Sequence, residues 1–482
     1  MSRYGQLADQ LQQQITSGLW QPGERIPSIR QSCKTHGLSP MTVLQAYQLL
    51  ESRGLILARP QSGYYVKAAS TARRESQPQQ ARYSGSVDIN DLVFEVLQAS
   101  KSRELVPLGM AVADPTLFPH PQLGRALGSC MRRLDPFSTV ADLPPGNEAL
   151  RRAIARRYAG EGMAVDPQQI IITTGAMEAL SLSLQVLTEP GDWVVVESPT
   201  FYGALQAIER LKLNVVEIPV IPGVGIDLAL LTEALAQRPI KACWLMGNVQ
   251  HPLGHTMPDG HKQGLMALLN AHEVPLVEDD VYAELYFGRE RPSPIKRWDA
   301  RGDSLLCGSW TKCLAPGFRV GWVVAGPHAE RIQRLQLMST LSTNVPSQLA
   351  LADMLRQGGV DAHFRRLRHT LAQRQQQMRA ALMRLFPEAR ISSPDGGYFL
   401  WLEFDARLDG RALYASAIAQ GVSIAPGALF SSQGQHNHCL RLNSSHPWSP
   451  QLDAALNRLA DLIARQRETW QSPPDASHDK GP

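Results

Sequence analysis

Residues 308–322 read GSWTKCLAPGFRVGW and follow the apolar run SLLCG at 304–308. A short apolar run of this kind, bounded by polar residues, predicts a buried β-strand. Ser309, Lys312 and Arg319 then come after the carboxyl end of that strand. Because ligands of open α/β sheets bind at the carboxyl ends of strands, these three polar side chains are candidates for a binding site.

Similar apolar runs recur on both sides of this stretch, and longer amphipathic segments separate several of them. The runs are IIITT (170–174), WVVVE (193–197), ACWLM (242–246), PLVED (275–279) and GWVVAG (321–326). Their alternation predicts an α/β fold with a mostly parallel sheet and helices on both faces. Beyond residue 350, a long Arg/Gln-rich helix at 362–385 is followed by GGYFLWLEF and CLRLNS, read as strands. That change predicts a smaller lobe over roughly 350–465.

Several of these strands are followed by a different kind of polar or aromatic residue. The candidates are Gly175, Ala176, Met177, Phe201, Tyr202, Asp279, Tyr282, Ser309, Lys312 and Arg319. Taken singly, each has an ordinary explanation: a tight turn, a core aromatic or a solvated charge. Their combination and order match the requirements of pyridoxal phosphate.

Each part of that cofactor needs one of these groups. A lysine holds the aldehyde as an imine, and a carboxylate keeps the pyridine nitrogen protonated so that the ring accepts electrons. A phenol near the ring oxygen tunes the imine, and an aromatic side chain stacks on the ring. Helix N–H groups, a hydroxyl and an arginine suit the phosphate. The sequence therefore predicts pyridoxal phosphate as the cofactor and no metal.

GSWTKCLAPGFRVGW, VEDDVYAEL, TTGAMEAL and CLRLNSS resemble class I aminotransferases of fold type I over roughly residues 105–465. The resemblance implies a role for each candidate. Lys312 would be the Schiff-base lysine, Asp279 would contact the pyridine nitrogen and Tyr282 the ring oxygen. The phosphate would be held by Ser309, Arg319 and the amides of Gly175, Ala176 and Met177. Phe201 would stack on the ring, with Tyr202 as the alternative, and Arg441 would grip a substrate α-carboxylate.

Two positions depart from the family pattern. His251 precedes Pro252-Leu253-Gly254, where the family usually has an asparagine that bonds the ring oxygen. His251 either donates from an imidazole nitrogen, with a protonation that varies near neutral pH, or only fills space. The family often carries a tyrosine before Gly146 that reaches the partner subunit's phosphate, and STVADLPPG has none. Both departures weaken the case for efficient transamination without harming cofactor binding.

Residues 1–67 form a basic head, with a net charge of +4 that equals that of the whole chain. The pattern predicts three helices and a two-stranded wing, and a polyanion partner. A small helical docking module is the alternative. PGERIPSIRQ, GLSPMTVLQAYQLLESRGLI and RPQSGYYV resemble the GntR family of bacterial regulators, which implies contacts to double-stranded DNA. The implied contacts are Arg30, Ser39, Thr42, Ser62 and Gly63, with Gln45 and Arg59 as weaker candidates.

A Ser/Gln/Ala/Arg-rich stretch at 68–86 is predicted to be a flexible linker before the aminotransferase-like domain at 87–482. This arrangement resembles the MocR (GabR-like) regulators. It implies a cytoplasmic, homodimeric transcription factor that senses pyridoxal phosphate or an amine adduct of it. An active aminotransferase with an accessory head is the rival hypothesis, and a dimerisation scaffold with a structural cofactor is the third.

Composition narrows the setting further. Six cysteines without a Cys-x-x-Cys pair favour a reduced compartment and no structural zinc. No apolar run approaches the roughly 18 residues that a membrane helix needs. We therefore expect a cytoplasmic protein that does not span a membrane.

Overall fold

The computed structural model describes a chain that divides into two compact units, residues 1–79 and 80–482. The described residues are 3–16, 19–20, 23–53, 55–59, 63–66, 80–84, 89–99, 101–137 and 143–471. In this part of the chain, no helix is long and apolar enough to cross a membrane.

The first unit is a winged helix-turn-helix, as predicted. Its elements are α1 (Arg3–Thr16), α2 (Ile29–His36), α3 (Pro40–Ser52), β1 (Ile56–Arg59) and β2 (Gly63–Val66). The side chain of Ser28 accepts from the amide of Gln31 and so caps α2. Ser39 caps α3 in the same way, with Pro40 at the first helical position. The two strands pair antiparallel and form the wing.

Buried apolar side chains from α1, α3 and both strands make the core of this unit, including Leu11, Val43, Leu50, Ile56 and Val66, and the partly buried Ile29 and Cys33 of α2 pack against it. The Tyr47 hydroxyl, which is also buried, donates to the carbonyl of Pro27 at 2.7 Å. The chain entering α2 is thereby tied to α3. This hydrogen bond therefore fixes the position of α3 within the first unit.

The second unit is an α/β domain with a smaller lobe. Its described helices are α4 (Asn90–Ala99), α5 (His120–Arg132), α6 (Glu148–Gly160), α7 (Ala176–Leu187), α8 (Tyr202–Arg210), α9 (Leu228–Gln237), α10 (Asp259–Ala271), α11 (Ala329–Ser339), α12 (Val345–Gln357), α13 (Val360–Leu385), α14 (Gly410–Ala419) and α15 (Pro450–Gln471). Its described strands are β3 (Arg82–Ser84), β4 (Val106–Pro107), β5 (Ile170–Thr173), β6 (Trp193–Ser198), β7 (Asn214–Ile221), β8 (Gly225–Ile226), β9 (Ile240–Leu245), β10 (Leu276–Asp279), β11 (Leu305–Ser309), β12 (Gly321–Val324), β13 (Arg390–Ile391), β14 (Phe399–Glu403), β15 (Val422–Ser423), β16 (Ala425–Pro426) and β17 (Cys439–Asn443).

Nine of the described strands form the central sheet, in the order β3-β7-β6-β9-β10-β11-β12-β5 with β8 paired to β7. The pairs from β7 to β11 are parallel, whereas β12 runs antiparallel to both β11 and β5. The mostly parallel sheet is therefore confirmed. Apolar side chains cover both faces, so the runs along these strands are almost continuously apolar.

The predicted linker at 68–86 is wrong at residues 82–84. Arg82–Ser84 forms β3 and pairs antiparallel with β7, in the register Tyr83 to Val216. The Tyr83 ring lies 6.1 Å from that of Trp193 and 5.5 Å from the Arg238 guanidinium carbon. Tyr83 is the aromatic residue that anchors this edge strand. Because the stretch 68–86 has no large aliphatic residue, its composition gives no sign of a strand. Residues 68–79 and 85–86 of the predicted linker lie outside the described residues.

The smaller lobe also differs from the predicted span 350–465. Leu351, Phe364 and Leu371 pack into the core of the large domain. The lobe's own apolar cluster begins in α13 at Met378, and it includes Val106 and Leu108 from far upstream. The long helix α13 therefore serves both cores, and β4 pairs with β15 inside the lobe.

Candidate functional site

Lys312 lies just beyond the carboxyl end of β11, partly buried, and its amine donates to the carbonyl of Ala111 at 3.0 Å. The amine also lies 5.6 Å from the centroid of the Tyr282 ring. Burial lowers the pKa of Lys312 to about 8, the positive charge of Arg441 adds to this, and Asp279 opposes it. Roughly a tenth of this amine is therefore neutral and nucleophilic at pH 7, far more than for an ordinary lysine.

Asp279 ends the neighbouring strand β10 and is 1% exposed. One carboxylate oxygen accepts from the amide of Val281 at 3.4 Å, and Oδ2 has no hydrogen-bond partner of good geometry among the described residues, although the Trp244 indole interacts with the carboxylate and lowers its pKa. Burial raises the pKa of Asp279 to about 7, and the nearby Asp280 adds to this. Such a group needs a cationic N–H donor, which the protonated pyridine nitrogen of pyridoxal phosphate provides.

We expect Asp279→Asn to stabilise the cofactor-free protein, and increasingly so as the pH rises. The pKa of Asp279 in the folded protein lies above the ordinary aspartate value of 3.8, so the unfolded chain ionises first and the parent loses stability as the pH rises to about 7. Between pH 5.5 and 8.5, the difference in unfolding free energy between variant and parent grows by about 2 kcal/mol. Urea unfolding at the two pH values measures it. Asp461→Asn, an exposed control, changes nothing, and a pH-independent difference for Asp279→Asn contradicts the assignment.

His251 lies at the centre of the site, 2% exposed. Arg441 donates from Nη1 to its Nε2 at 3.0 Å, and its ring stacks on that of Tyr282 with centroids 5.9 Å apart. Burial, followed by the charges of Arg441 and Lys312, holds the pKa of His251 well below its usual value. The predicted variation of its protonation near neutral pH is therefore wrong.

The hydrogen bond from Arg441 also fixes which nitrogen of His251 carries the proton. Nε2 accepts, so a neutral ring has its hydrogen on Nδ1. That buried Nδ1 has no partner among the described residues. It is an unused donor, as the first interpretation of His251 requires, and the choice between the two interpretations stays a prediction.

Arg441 lies on β17, 1% exposed, between the rings of Phe399 and Phe430, at 4.4 and 5.6 Å from their centroids. Nη2 donates to the carbonyl of Gly109. Nε has no partner, and no described carboxylate forms an ion pair with this guanidinium. A buried cation without a counter-ion is costly. The predicted role of Arg441 in holding a substrate carboxylate stays a prediction, with which a buried guanidinium that lacks a counter-ion is consistent.

The residues predicted to bind the phosphate lie where the strands β11, β12 and β5 are side by side. Gly321 of β12 pairs with Ser309 of β11 on one side and with Thr173 of β5 on the other. Gly175 has φ +82 and precedes α7, and a Cβ there would lie 2.8 Å from the exposed Arg319 guanidinium. Ala176 and Met177 open α7, so their amides lie at its N-terminus.

The Ser309 hydroxyl is already engaged, because it donates to the carbonyl of Val320 at 2.8 Å. It also lies 2.7 Å from the hydroxyl of Thr311. Since the proton of Ser309 is used, Thr311 is the donor between the two hydroxyls or is free to turn toward an anion. Sequence reasoning missed Thr311, although it stands beside Lys312 in the motif.

Phe201 and Tyr202 both reach this site, so the alternative between them remains. Their rings lie 4.8 Å apart, and they lie 5.4 and 6.4 Å from the His251 ring. Phe201 also packs beneath Gly203, where a Cβ would come within 2.4 Å of it. Tyr202 instead lies on the side of the site that holds Arg441.

Two further groups were missed. The carbonyl of Ala111 accepts from Lys312 and, at 3.2 Å, from the hydroxyl of Tyr398. A tyrosine after Gly-Gly at a strand start is a signal that the sequence carried, whereas a backbone carbonyl has no signature. The unused buried atoms of the site are Oδ2 of Asp279 and Nδ1 of His251, and the amine of Lys312 interacts electrostatically with both residues. These groups fit pyridoxal phosphate, and the side chains named above would hold it.

The predicted DNA contacts are only partly described. Arg30 and Gln45 are exposed, whereas Ser39 and Thr42 bond one another at 2.8 Å. Ser39 therefore has a capping role as well. Gly63 has φ +108 and begins β2, and a Cβ there would lie 3.0 Å from Nε of Arg25, an exposed cation that sequence reasoning missed. Ser62 and the side chain of Arg59 lie outside the described residues.

Comparison with known proteins agrees with this division. The family "Bacterial regulatory proteins, gntR family" matches residues 3–66, and "Aminotransferase class I and II" matches residues 134–459. The HTH-type transcriptional regulator YdcR of Escherichia coli K12 is 51% identical over 96% of this chain and 99% of its own. The chain belongs to the MocR-like family. It combines a GntR-type helix-turn-helix domain with an aminotransferase domain of fold type I.

Other relatives support both halves of the MocR-like architecture. YjiR, a second HTH-type transcriptional regulator of E. coli K12, is 36% identical over 97% of this chain and 100% of its own. Among solved structures, LysN of Thermus thermophilus, an α-aminoadipate aminotransferase complexed with a phosphopyridoxyl compound, superposes with a TM-score of 0.71. It is 26% identical over 78% of this chain and 95% of its own. Pyridoxal phosphate is the cofactor of this fold and of this chain.

Proposed function

We propose that this MocR-like chain is a cytoplasmic transcription regulator that binds operator DNA through residues 3–66. Its aminotransferase domain would sense an amine or amino-acid effector with bound pyridoxal phosphate. One observation carries the sensing role: a neutralisable lysine amine and a buried guanidinium without a counter-ion contact carbonyls two residues apart, those of Ala111 and Gly109. Both groups therefore border the short segment 109–111, where one small molecule carrying an amine and a carboxylate would meet both.

The residues of the site suggest how sensing would proceed. Pyridoxal phosphate supplies an aldehyde carbon that takes an amine reversibly. Lys312 and the effector amine would compete for that carbon, Arg441 would hold the carboxylate of the effector, and His251 would offer a hydrogen-bond donor at Nδ1. Because Gly109 lies close to β4 and the smaller lobe, occupation of Arg441 would act on the packing between lobe and large domain. A complete switch between two states needs about 5.5 kcal/mol of differential binding.

A working aminotransferase is the second candidate, favoured by the lowered pKa of Lys312. One experiment distinguishes the regulator from the working aminotransferase. The purified, cofactor-loaded chain is mixed with amino acids and a keto acid while operator binding and keto-acid turnover are both recorded. A sensor changes its DNA affinity with one turnover or fewer per site. Many turnovers with unchanged DNA affinity would refute the regulatory proposal.

We expect Arg30→Ala to weaken DNA binding at every sequence tested. Arg30 is an exposed cation on α2, so we assign it to phosphate rather than base contact. The slope of log affinity against log salt should fall in magnitude by about 1. Fluorescence anisotropy between 50 and 200 mM salt measures it. Lys101→Ala, an exposed lysine of the large unit, should leave the slope unchanged, and an unchanged slope for Arg30→Ala removes that residue from the interface.

We also propose a homodimer. Large apolar side chains are exposed on the second unit, with Phe137 at 78%, Met338 at 77% and Leu341 at 57%. Exposed apolar area of this kind favours association. Sedimentation equilibrium of the full chain tests the stoichiometry, and a monomer at micromolar concentration would contradict it.

A further inference from the structure

Asp280, the residue after Asp279, belongs to a cluster of buried charged side chains. Its side chain is 1% exposed, and its backbone amide donates to the carbonyl of Cys307 on β11 at 2.9 Å. The sheet therefore fixes Asp280 at the end of β10, next to the carboxylate assigned to the pyridine nitrogen. A second buried acid at this place is costly unless other groups support it.

Two hydrogen-bond donors hold the carboxylate of Asp280. Nδ2 of Asn248 donates to Oδ1 at 2.8 Å, and Nη2 of Arg291 donates to Oδ2 at 3.3 Å. Asn248 in turn accepts from Nζ of the fully buried Lys262 at 2.7 Å. Burial raises the pKa of Asp280, whereas Arg291, Asn248 and Lys262 favour its ionised form. Because both oxygens accept from donors, we assign a carboxylate of fixed orientation at neutral pH.

The positive charge of Arg291 is shared among three acids. Besides Asp280, it forms ion pairs with Glu284 at 3.6 Å and with Glu161. The guanidinium is therefore not available to Asp280 alone. Burial raises the pKa of Asp279, and the charge of Asp280 raises it further. The negative charge of Asp280 thus acts on Asp279 in spite of its own partners.

We propose that Asp280 is a positioning residue for the cofactor: through Asp279, its fixed negative charge strengthens the binding of the protonated pyridine nitrogen. Two adjacent carboxylates attract one N–H cation more strongly than a single carboxylate does. A ring without that positive charge gains nothing from Asp280. The inference needs the cofactor alone, so it holds for a sensor and for an aminotransferase.

The test compares two ligands that differ at the ring nitrogen. The full-length chain, freed of cofactor, is titrated with pyridoxal phosphate and with its deaza analogue, in which a C–H group replaces that nitrogen. Both compounds keep the aldehyde, the ring oxygen and the phosphate, and absorbance gives each dissociation constant. Asp280→Asn keeps the shape of the side chain and can still accept from Asn248, but it carries no charge. We expect its dissociation constant for pyridoxal phosphate to rise about tenfold, and that for the analogue to change less than about twofold.

A second pair of variants separates the charge of the side chain from its size. Asp280→Glu and Asp280→Gln introduce side chains of nearly equal size, and of the two only Asp280→Glu keeps the charge. Asp280→Glu should bind pyridoxal phosphate about tenfold more tightly than Asp280→Gln, with no such difference for the analogue. This pair gives the same comparison if Asp280→Asn does not fold. Asp361→Asn is the matched control, because Asp361 is a 70% exposed carboxylate that pairs with Arg157 at 3.0 Å. It should change neither dissociation constant.

The outcomes distinguish an electrostatic role of Asp280 from a structural one. Equal losses for the two ligands would mean that Asp280 only supports the fold around the site, and the inference would be wrong. Unchanged binding of pyridoxal phosphate by Asp280→Asn and by Asp280→Gln would overturn it as well. A loss confined to the ligand with the ring nitrogen, and restored in Asp280→Glu, establishes Asp280 as the residue that supports Asp279.

Discussion

Lys312→Ala abolishes the response to every amine, with at least a 100-fold loss in effector sensitivity, while effector-free operator binding stays within about twofold of the parent. The amine of Lys312 is the partly buried nucleophile at the centre of the site, and its pKa is lowered to about 8. The methyl side chain of alanine has no amine and cannot act as this nucleophile. Lys312 lies in the second compact unit, so the substitution leaves the DNA-contacting residues of the first unit unchanged.

Two measurements check this expectation. The visible absorption band of the cofactor-loaded protein, which reports the lysine linkage, disappears in Lys312→Ala, and anisotropy of labelled operator no longer changes when amines are added. Lys241→Ala is the matched control, since Lys241 is an exposed lysine on β9 of the same sheet. Retention of an amine-dependent change in operator binding by Lys312→Ala would refute the sensing mechanism.

Arg441→Met tests ligand recognition, because it should weaken the binding of amino acids far more than it changes the stability of the fold. Methionine fills the space between Phe399 and Phe430 without a charge, so the cost of burying a cation without a counter-ion is removed. Nε2 of His251 and the carbonyl of Gly109 each lose a hydrogen-bond donor, so the stability of the ligand-free protein should change by about 1 kcal/mol or less. Loss of the carboxylate contact costs about 3 kcal/mol of binding, or more than 100-fold in the dissociation constant of an amino acid.

An amine that matches the tested amino acid but lacks its carboxylate provides an internal control for Arg441→Met. Its affinity should change less than threefold, whereas that of the corresponding amino acid falls more than 100-fold. Urea unfolding of the ligand-free protein gives the stability change. Arg331→Met alters an exposed arginine on α11 and should change neither quantity. Equal losses for amine and amino acid would mean that Arg441 supports the site without contacting the carboxylate.

Much of this site could be predicted because its residues directly follow strands. Asp279 ends β10 and Lys312 follows β11, and the parallel pairing of these strands brings their carboxyl ends to one edge. The helices of the first unit could be predicted in the same way, because the residue pattern that indicates each of them lies within a short stretch of sequence. In both cases, the positions follow from short-range pattern and the rules of sheet topology.

What the sequence did not reveal depends on contacts between distant segments. The protonation of His251 is set by burial and by Arg441, 190 residues away. Ala111 contributes a carbonyl, for which no residue type is diagnostic. The strand Arg82–Ser84 exists because β7 offers an edge and Trp193 an aromatic neighbour. Each of these depends on tertiary context that overrides local composition.

The unpartnered Oδ2 of Asp279 has a consequence for how long the protein survives in a cell. A ligand that satisfies it stabilises the native state by mass action, by about 2.7 kcal/mol at a concentration one hundred times its dissociation constant. Proteases act on the unfolded population, which this shift reduces about a hundredfold. We therefore expect newly made chains to be degraded faster when pyridoxal phosphate is scarce, so that the abundance of the regulator follows the supply of its cofactor.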